Sequence, residues 1–390
     1  MKIFERYKWL WLGAHLLLSV LLILCVSCSS DDEDEPTLNI YVYAPERPMI
    51  TRAEVVPTED EGKIHNLQIW VFRSSDPSKM VASLTLTNEA ELQGLNENKS
   101  AAYSIALTDR SFAEKPEPVD IYVLANVLLE NNGSATYSSI TSSATLDEAL
   151  FNGGHFYDFW TDENHQALTK IPEGKGVPMS GVARNRSVTD KNNVLHINDA
   201  NLKLLRTVSK IRFVFSSLDS EGINKLYIDG VTLNTGMMYQ SVRFFLDNEH
   251  PNYWVEGSVS SWPVALLEGD PVNPVKQNGD PTAYAITSTM TDTEYETLIQ
   301  NGLTADELTE RGPVYLPESD KRLMGTIKYH LGKNGPQLSA SFSMVNGDFR
   351  RNQTWIVYAY YTGSSKLEVN AVKVTDWSKG SDWDHWIHNW

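Results

Sequence analysis

Short runs of strict two-residue alternation, each closed by a turn, limit this chain to very few architectures. Gln337 to Met344 is the plainest case. Leu338, Ala340, Phe342 and Met344 share one face, and Ser339, Ser341 and Ser343 the other, which is the period of a half-buried strand. Thr37 to Ala44 repeats the pattern, with Leu38, Ile40 and Val42 against Asn39, Tyr41 and Tyr43. Lys63 to Phe72, Met80 to Thr87 and Ala101 to Thr108 alternate as well. Val119 to Val127 is apolar on both faces, as a strand buried between two layers requires. In the second half, Leu202 to Ser216, Lys225 to Leu233 and Ser241 to Leu246 read as strands. Gln337 to Met344 is itself one of four in quick succession, with Gly325 to Leu331, Thr354 to Tyr361 and Leu367 to Val374. In the last of these the phase changes between Ala371 and Val372, which predicts a β-bulge.

Helical signals are few. Thr145 and Glu148 have the spacing of a capping box, with Gly153 placed to stop a short helix. Thr291 with Glu294 and Thr304 with Glu307 predict one or two more within residues 292–310. Asn185 to Asn193 is polar and charged, a candidate boundary, and the Pro- and Gly-rich run from Pro251 to Pro281 reads as a surface excursion. No block repeats at a fixed period, which disfavours solenoids and propellers. At 390 residues the chain exceeds one ordinary core. The expectation is an all-β chain with two β-sandwich domains in tandem and a few short helices in loops. The first domain spans residues 53–197 and the second residues 198–390.

The N-terminus reads as an export signal. Lys2, Arg6 and Lys8 precede an almost wholly apolar run from Leu10 to Val26, the order of a secretory leader over residues 1–27. As a membrane span the run is marginal, since His15 interrupts it. Cys28 follows Val26-Ser27 and resembles the lipid-attachment cysteine of a bacterial lipobox, although Cys25 stands where leucine is usual. An uncleaved anchor helix is the alternative. The chain has two cysteines, so processing at Cys28 leaves no pair for an intramolecular disulfide. Residues 28–52 then hold an acidic spacer, the strand of Thr37 to Ala44, and a connector with Arg47 and Arg52. A net charge of −17 disfavours nucleic acid, which attracts a basic stripe.

Signals for chemistry are weak. The sequence has no His-Glu-x-x-His, no Cys-x-x-Cys and no calcium-loop pattern, and Ser180 and Ser209 lack a nucleophile elbow. His385 and His388 sit near Asp382 and Asp384 and would make a surface metal pair only if that tail were helical. No catalytic residue, cofactor or metal is therefore expected. Trp160, Trp254, Trp262, Trp383, Trp386 and Trp390 could stack on sugar rings if exposed. A monomeric surface glycan-binding lipoprotein is thus the competing reading.

Several segments together resemble the FimA-type fimbrillin family of the Bacteroidetes, the subunits of type V pili. They are the Cys28 lipobox with its acidic spacer, the Arg52 connector before Lys63 to Phe72, and Val119 to Val127. Pro178 to Gly181, Leu204 to Phe213, Val314 to Ser319 and Arg351 to Tyr361 complete the set. The resemblance implies two transthyretin-like sandwiches and a lipoprotein held at the outer membrane through Cys28. It also implies cleavage by an arginine-specific protease and polymerisation with other fimbrial subunits by strand exchange, supporting adhesion and biofilm formation. A host or bacterial surface receptor or glycan would be the further partner. Arg52 is the candidate cleavage residue, because Arg47 is followed by Pro48, a poor residue beyond a scissile bond. Thr37 to Ala44 would be the strand that leaves, and part of Leu367 to Trp390 the donor. Shaft, anchor and tip positions all stay open.

Overall fold

The computed structural model describes residues 36–45, 61–127, 140–148, 150–152, 171, 174, 176–191, 194–198, 202–221, 223–246, 251–284, 308–344, 349–364 and 366–376. The first half contributes β1 (Thr37–Tyr43), β2 (Leu67–Arg73), β3 (Asp76–Leu86), β4 (Ser100–Ala106), β5 (Val119–Ala125) and β6 (Leu150–Asn152). It continues through β7 (Met179–Arg186), β8 (Val188–Lys191), β9 (Val194–Ile197), β10 (Leu202–Lys203) and β11 (Leu205–Arg206). One sheet places β1 between β4 on one side and β9 and β10 on the other, with β8 outside β9. The second sheet runs β11-β7-β5-β2-β3. As its sequence requires, β5 is central and buried along almost its whole length.

The second half contributes β12 (Val208–Leu218), β13 (Leu226–Leu233), β14 (Ser241–Arg243), β15 (Val264–Asp270), β16 (Gln277–Asn278) and β17 (Thr309–Pro317). β18 (Met324–Leu331), β19 (Gln337–Ser343), β20 (Gln353–Tyr361) and β21 (Glu368–Asp376) close the chain of strands. One sheet runs β16-β12-β20-β21 with β17 also on β12, and the facing sheet runs β15-β13-β18-β19. Phe213 of β12 meets Phe342 of β19 edge to face at 5.9 Å, a contact between the two layers of the second core. The architecture is an all-β sandwich fold, and the change from the first pair of sheets to the second falls between Arg206 and Val208. A further two-stranded sheet joins the halves, since β6 pairs with β14.

Local departures from the sequence expectations have identifiable causes. Helix α1 (Glu89–Asn98) was not anticipated. Its signal is Asn88, whose Oδ1 accepts from Ala90 N at 3.0 Å, followed by Glu91 and by Leu92 and Leu95, both buried. α2 (Ser111–Glu114) is a single turn buried through Phe112. α3 (Ser143–Asp147) begins ahead of the expected cap at Thr145, with Ser142 in the N-cap position. The stretch from Asn185 to Asn193 is not a break in structure, because it holds the end of β7 and all of β8. Nor is Pro251 to Pro281 a featureless excursion, since it carries β15 and β16 and bridges β14 at Trp254. The irregularity in β21 sits at Val374, because Thr354 faces Thr375 while Trp355 faces Lys373. The helices expected within residues 292–310 fall largely outside the described residues.

Candidate functional site

β1 is an inner strand made from the beginning of the chain. Alternation gives it a buried face of Leu38, Ile40 and Val42, each with no exposed surface, and leaves Tyr41 51% exposed. Along one edge it pairs antiparallel with β4 over its whole length, from Thr37 opposite Ala106 to Tyr43 opposite Ser100. The other edge is served by two short parallel pieces. β9 faces Thr37 to Asn39, and β10 faces Val42 and Tyr43. The strand is fixed at both ends, with Leu107 N donating to Pro36 O at 3.3 Å and Ala44 N to Lys99 O at 2.9 Å.

Withdrawing β1 would uncover three apolar side chains' worth of core, each worth roughly 1.5–3 kcal/mol of burial. It would also leave rows of unpaired N–H and C=O groups on β4 and on β9 and β10, a template for another strand. Tyr103 lines this seat opposite Ile40. Its hydroxyl is buried without a hydrogen-bond partner, and burial pushes the phenol up to about 12.

The connector from β1 to the body, residues 46–60, lies outside the described residues, and Arg47 and Arg52 lie within it. Both of its ends are held by one stretch of chain. Leu204 N donates to Tyr43 O at 2.8 Å, and two residues later Arg206 Nε donates to Glu61 O at 3.2 Å. Glu61 is fastened further. Lys210 Nζ donates to its Oε2 at 3.1 Å and Tyr315 Oη to its Oε1 at 2.5 Å. Beyond it, Asn96 and Asn126 grip the backbone of Ile64 and His65.

A second buried cluster lies where the halves meet. Arg351 donates through Nε to Glu318 Oε1 at 2.9 Å and through its terminal nitrogens to Ser180 Oγ at 3.3 Å and Arg243 O at 2.7 Å. Its guanidinium lies 3.3 Å from the centre of the Tyr253 ring. Burial raises the Glu318 carboxyl, and the Arg351 charge opposes that rise. Arg184 bridges the halves in the same way, reaching Asp147 at 2.6 Å and Leu246 O at 2.8 Å. Tyr122 packs edge to face against Phe245 at 5.1 Å.

Cys28 and Arg52 lie outside the described residues, as do Trp160, Trp383, Trp386, Trp390, His385 and His388. Within the candidate donor segment, β21 is already paired with β20 over residues 368–376, so any free donor begins beyond Asp376. Trp254 and Trp262 are half-buried against the core, and Trp254 is flanked by Tyr239 and the Arg350 guanidinium. They are wedges more than open sugar platforms. Among the described residues no group of three or more His, Cys, Asp or Glu side chains is arranged to hold a metal. Glu61, Arg206, Lys210, Glu318 and Arg351 escaped the sequence reading. The available signal was the basic pair Lys210 and Arg212 inside a strand otherwise too apolar to face water.

No protein-family model matches the chain, and no curated protein matches it. Solved structures do. A candidate cell adhesion protein from Parabacteroides distasonis superposes with a TM-score of 0.51 at 14% identity, covering 88% of this chain and 98% of its own. A candidate cell adhesion protein from Bacteroides eggerthii gives 0.49 at 12% identity, covering 87% and 95%. The tip fimbrial protein Mfa3 from Porphyromonas gingivalis gives 0.49 at 15% identity, covering 86% and 99%. At such identities the likeness to the first of these is one of fold.

Proposed function

We propose that this chain is a structural subunit of a cell-surface fimbria with a role in adhesion. It is exported as a lipoprotein through Cys28, placed at the outer membrane and matured by cleavage after Arg52. It then polymerises with other fimbrial subunits by strand exchange. The observation that carries the reading is the seat of β1. An inner strand with three fully buried side chains joins the body through a connector whose two ends are fastened side by side. Cutting that connector at Arg52 leaves β1 held by non-covalent contacts alone, while Glu61 keeps the new chain start on the body. The vacated seat then offers two unpaired edges and an apolar trough to a neighbour's chain, the arrangement that strand addition uses. Residues beyond Asp376 are the donor in this scheme, and its two domains meet past β11, between Arg206 and Val208 and so later than the boundary expected at residue 197. The fold shared with a candidate adhesion protein supports the same reading.

The test is maturation in vitro. Treated with an arginine-specific protease, the purified chain should lose its N-terminal segment, begin at Ala53 and convert to a ladder of oligomers. Arg52→Ala should stay monomeric under the same treatment. Equal polymerisation of the uncut protein would refute the proteolytic step, and clean cleavage without assembly would refute strand exchange.

A further inference from the structure

The seat of β1 is not uniform along its length. At the Thr37 end β1 lies between β4 and β9, and β9 is backed in turn by β8 through four residue pairs. Leu107 N closes that end on Pro36 O. At the Tyr43 end the second rail is β10, which has two residues. β10 lies beside β7 of the second sheet, but among the described residues it pairs with no strand except β1. Between the two rails, Ile40 and Tyr41 pair with β4 alone among the described residues. On that side no ladder runs through from one half of the strand to the other.

A cut after Arg52 acts on the two halves unequally. Ala44 leads into the connector, whose far end is held at Glu61. Cutting removes this tether, and with it the high local concentration of a linked partner. It touches none of the contacts that hold the strand in place. Leu38, Ile40 and Val42 have no exposed surface and Ala44 is 8% exposed, and unpairing the strand would orphan backbone groups on both neighbours. The Tyr43 end becomes the one nearest the break, and chain ends with few partners are where local opening starts.

We infer that the cut subunit is a closed intermediate that keeps β1 and opens in two stages. Val42–Ala44 lift from β10 first, while Thr37–Asn39 stay latched between β4 and β9. This regulates the seat proposed above and rests on that proposal. The half-open form bares the backbone of Leu202 and Lys203 and of Ser100 and Ala101, and the places of Leu38 and Ile40 remain filled. Assembly is then controlled by displacement, and a cut subunit without a partner keeps its core covered.

The experiment uses the chain with its leader removed and Cys28→Ser, dilute enough to stay monomeric. After treatment with an arginine-specific protease, the fragment ending at Arg52 should co-elute with the body in size exclusion and separate only in denaturant. In the cut monomer, hydrogen exchange at residues 42–44 and 202–204 should quicken by about tenfold, and at 37–39 and 194–196 by less than about twofold. Two disulfide staples between facing positions test the order. Thr37→Cys with Ala106→Cys should leave the quickening at 42–44 intact, and Tyr43→Cys with Ser100→Cys should abolish it. Unchanged exchange in the uncut forms of both shows that they fold. Loss of the fragment as fast as it is cut, equal quickening of both halves, or quickening at 42–44 that survives the second staple would overturn the inference. Insertion of an unrelated protease's recognition sequence between Arg52 and Ala53 supplies the same cut if the natural one fails. Failure of the maturation site is thereby told apart from failure of two-stage opening.

Discussion

Lys210 Nζ lies 3.1 Å from Glu61 Oε2, and both side chains are 3% exposed. One partner comes from the residue that ends the Arg52 connector and the other from β12, the first strand of the second half. The pair therefore fastens the start of the first body to the second. Removing one member of such a pair leaves a buried charge without its counterion, which costs more than the pair contributes. Glu61→Gln should destabilise the protein by about 3–5 kcal/mol, read as a lower urea midpoint with an unchanged slope. Glu61→Leu with Lys210→Met and Tyr315→Phe should recover most of that loss, because an apolar set can occupy the site without a desolvated charge and without the Tyr315 hydroxyl that donates to Glu61.

Arg351 gives a parallel test at the junction of the halves. Its planar fork reaches Glu318, Ser180 and Arg243 O together, and a lysine ammonium cannot reproduce that geometry. Arg351→Lys is expected to cost about 2–4 kcal/mol. It should also uncouple the sandwiches, so that calorimetry is expected to show one transition for the parent chain and two for the variant.

Within β1, alternation separates residues that hold the strand from those that decorate it. Ile40 is fully buried and Tyr41 is 51% exposed. Ile40→Ala should lower the stability of the uncut protein by about 2–4 kcal/mol, while Tyr41→Ser should stay within about 0.5 kcal/mol. Thermal melting of the two variants side by side checks this, and equal effects would remove the case for a one-sided seat.

Tyr103 predicts an alkaline response. Its phenol ionises near 10 when the chain is unfolded and near 12 in the fold because of burial. Above pH about 10 the unfolded chain therefore holds fewer protons at this site, and stability falls as pH rises towards about 12. Tyr103→Phe should flatten part of that decline in melting temperature. Tyr122 and Tyr239, which burial also raises, should retain the rest. At pH 7 the phenol is neutral in both states, so the substitution should be neutral or stabilising by up to about 1 kcal/mol.

The sandwich layers were legible because burial on one face writes a two-residue period directly into the sequence. Leu38, Ile40 and Val42 declared their face, and Val119 to Val127 declared that it has two. The junction was not legible. Lys210 and Arg212 stand at alternate positions of β12, as on a solvated face, yet both are buried. Lys210 finds its partner in Glu61, at a distance along the chain that no local pattern encodes. Pro251 to Pro281 misled for a related reason. β15 there is held by its register with β13, a long-range constraint that overrides the turn-forming composition around it. Helix α1 was readable in Asn88, Glu91, Leu92 and Leu95, but strand patterns on both sides concealed it.

The neighbours of β1 come from widely separated parts of the chain. Synthesis proceeds from the N-terminus, so the rail formed by residues 100–106 exists well before the one formed by residues 194–203. Contacts that span so much sequence form slowly, because the closing entropy precedes the reward. The earliest made of the described strands is thus expected to be among the last to settle, half-gripped while the remainder of the first sandwich is completed.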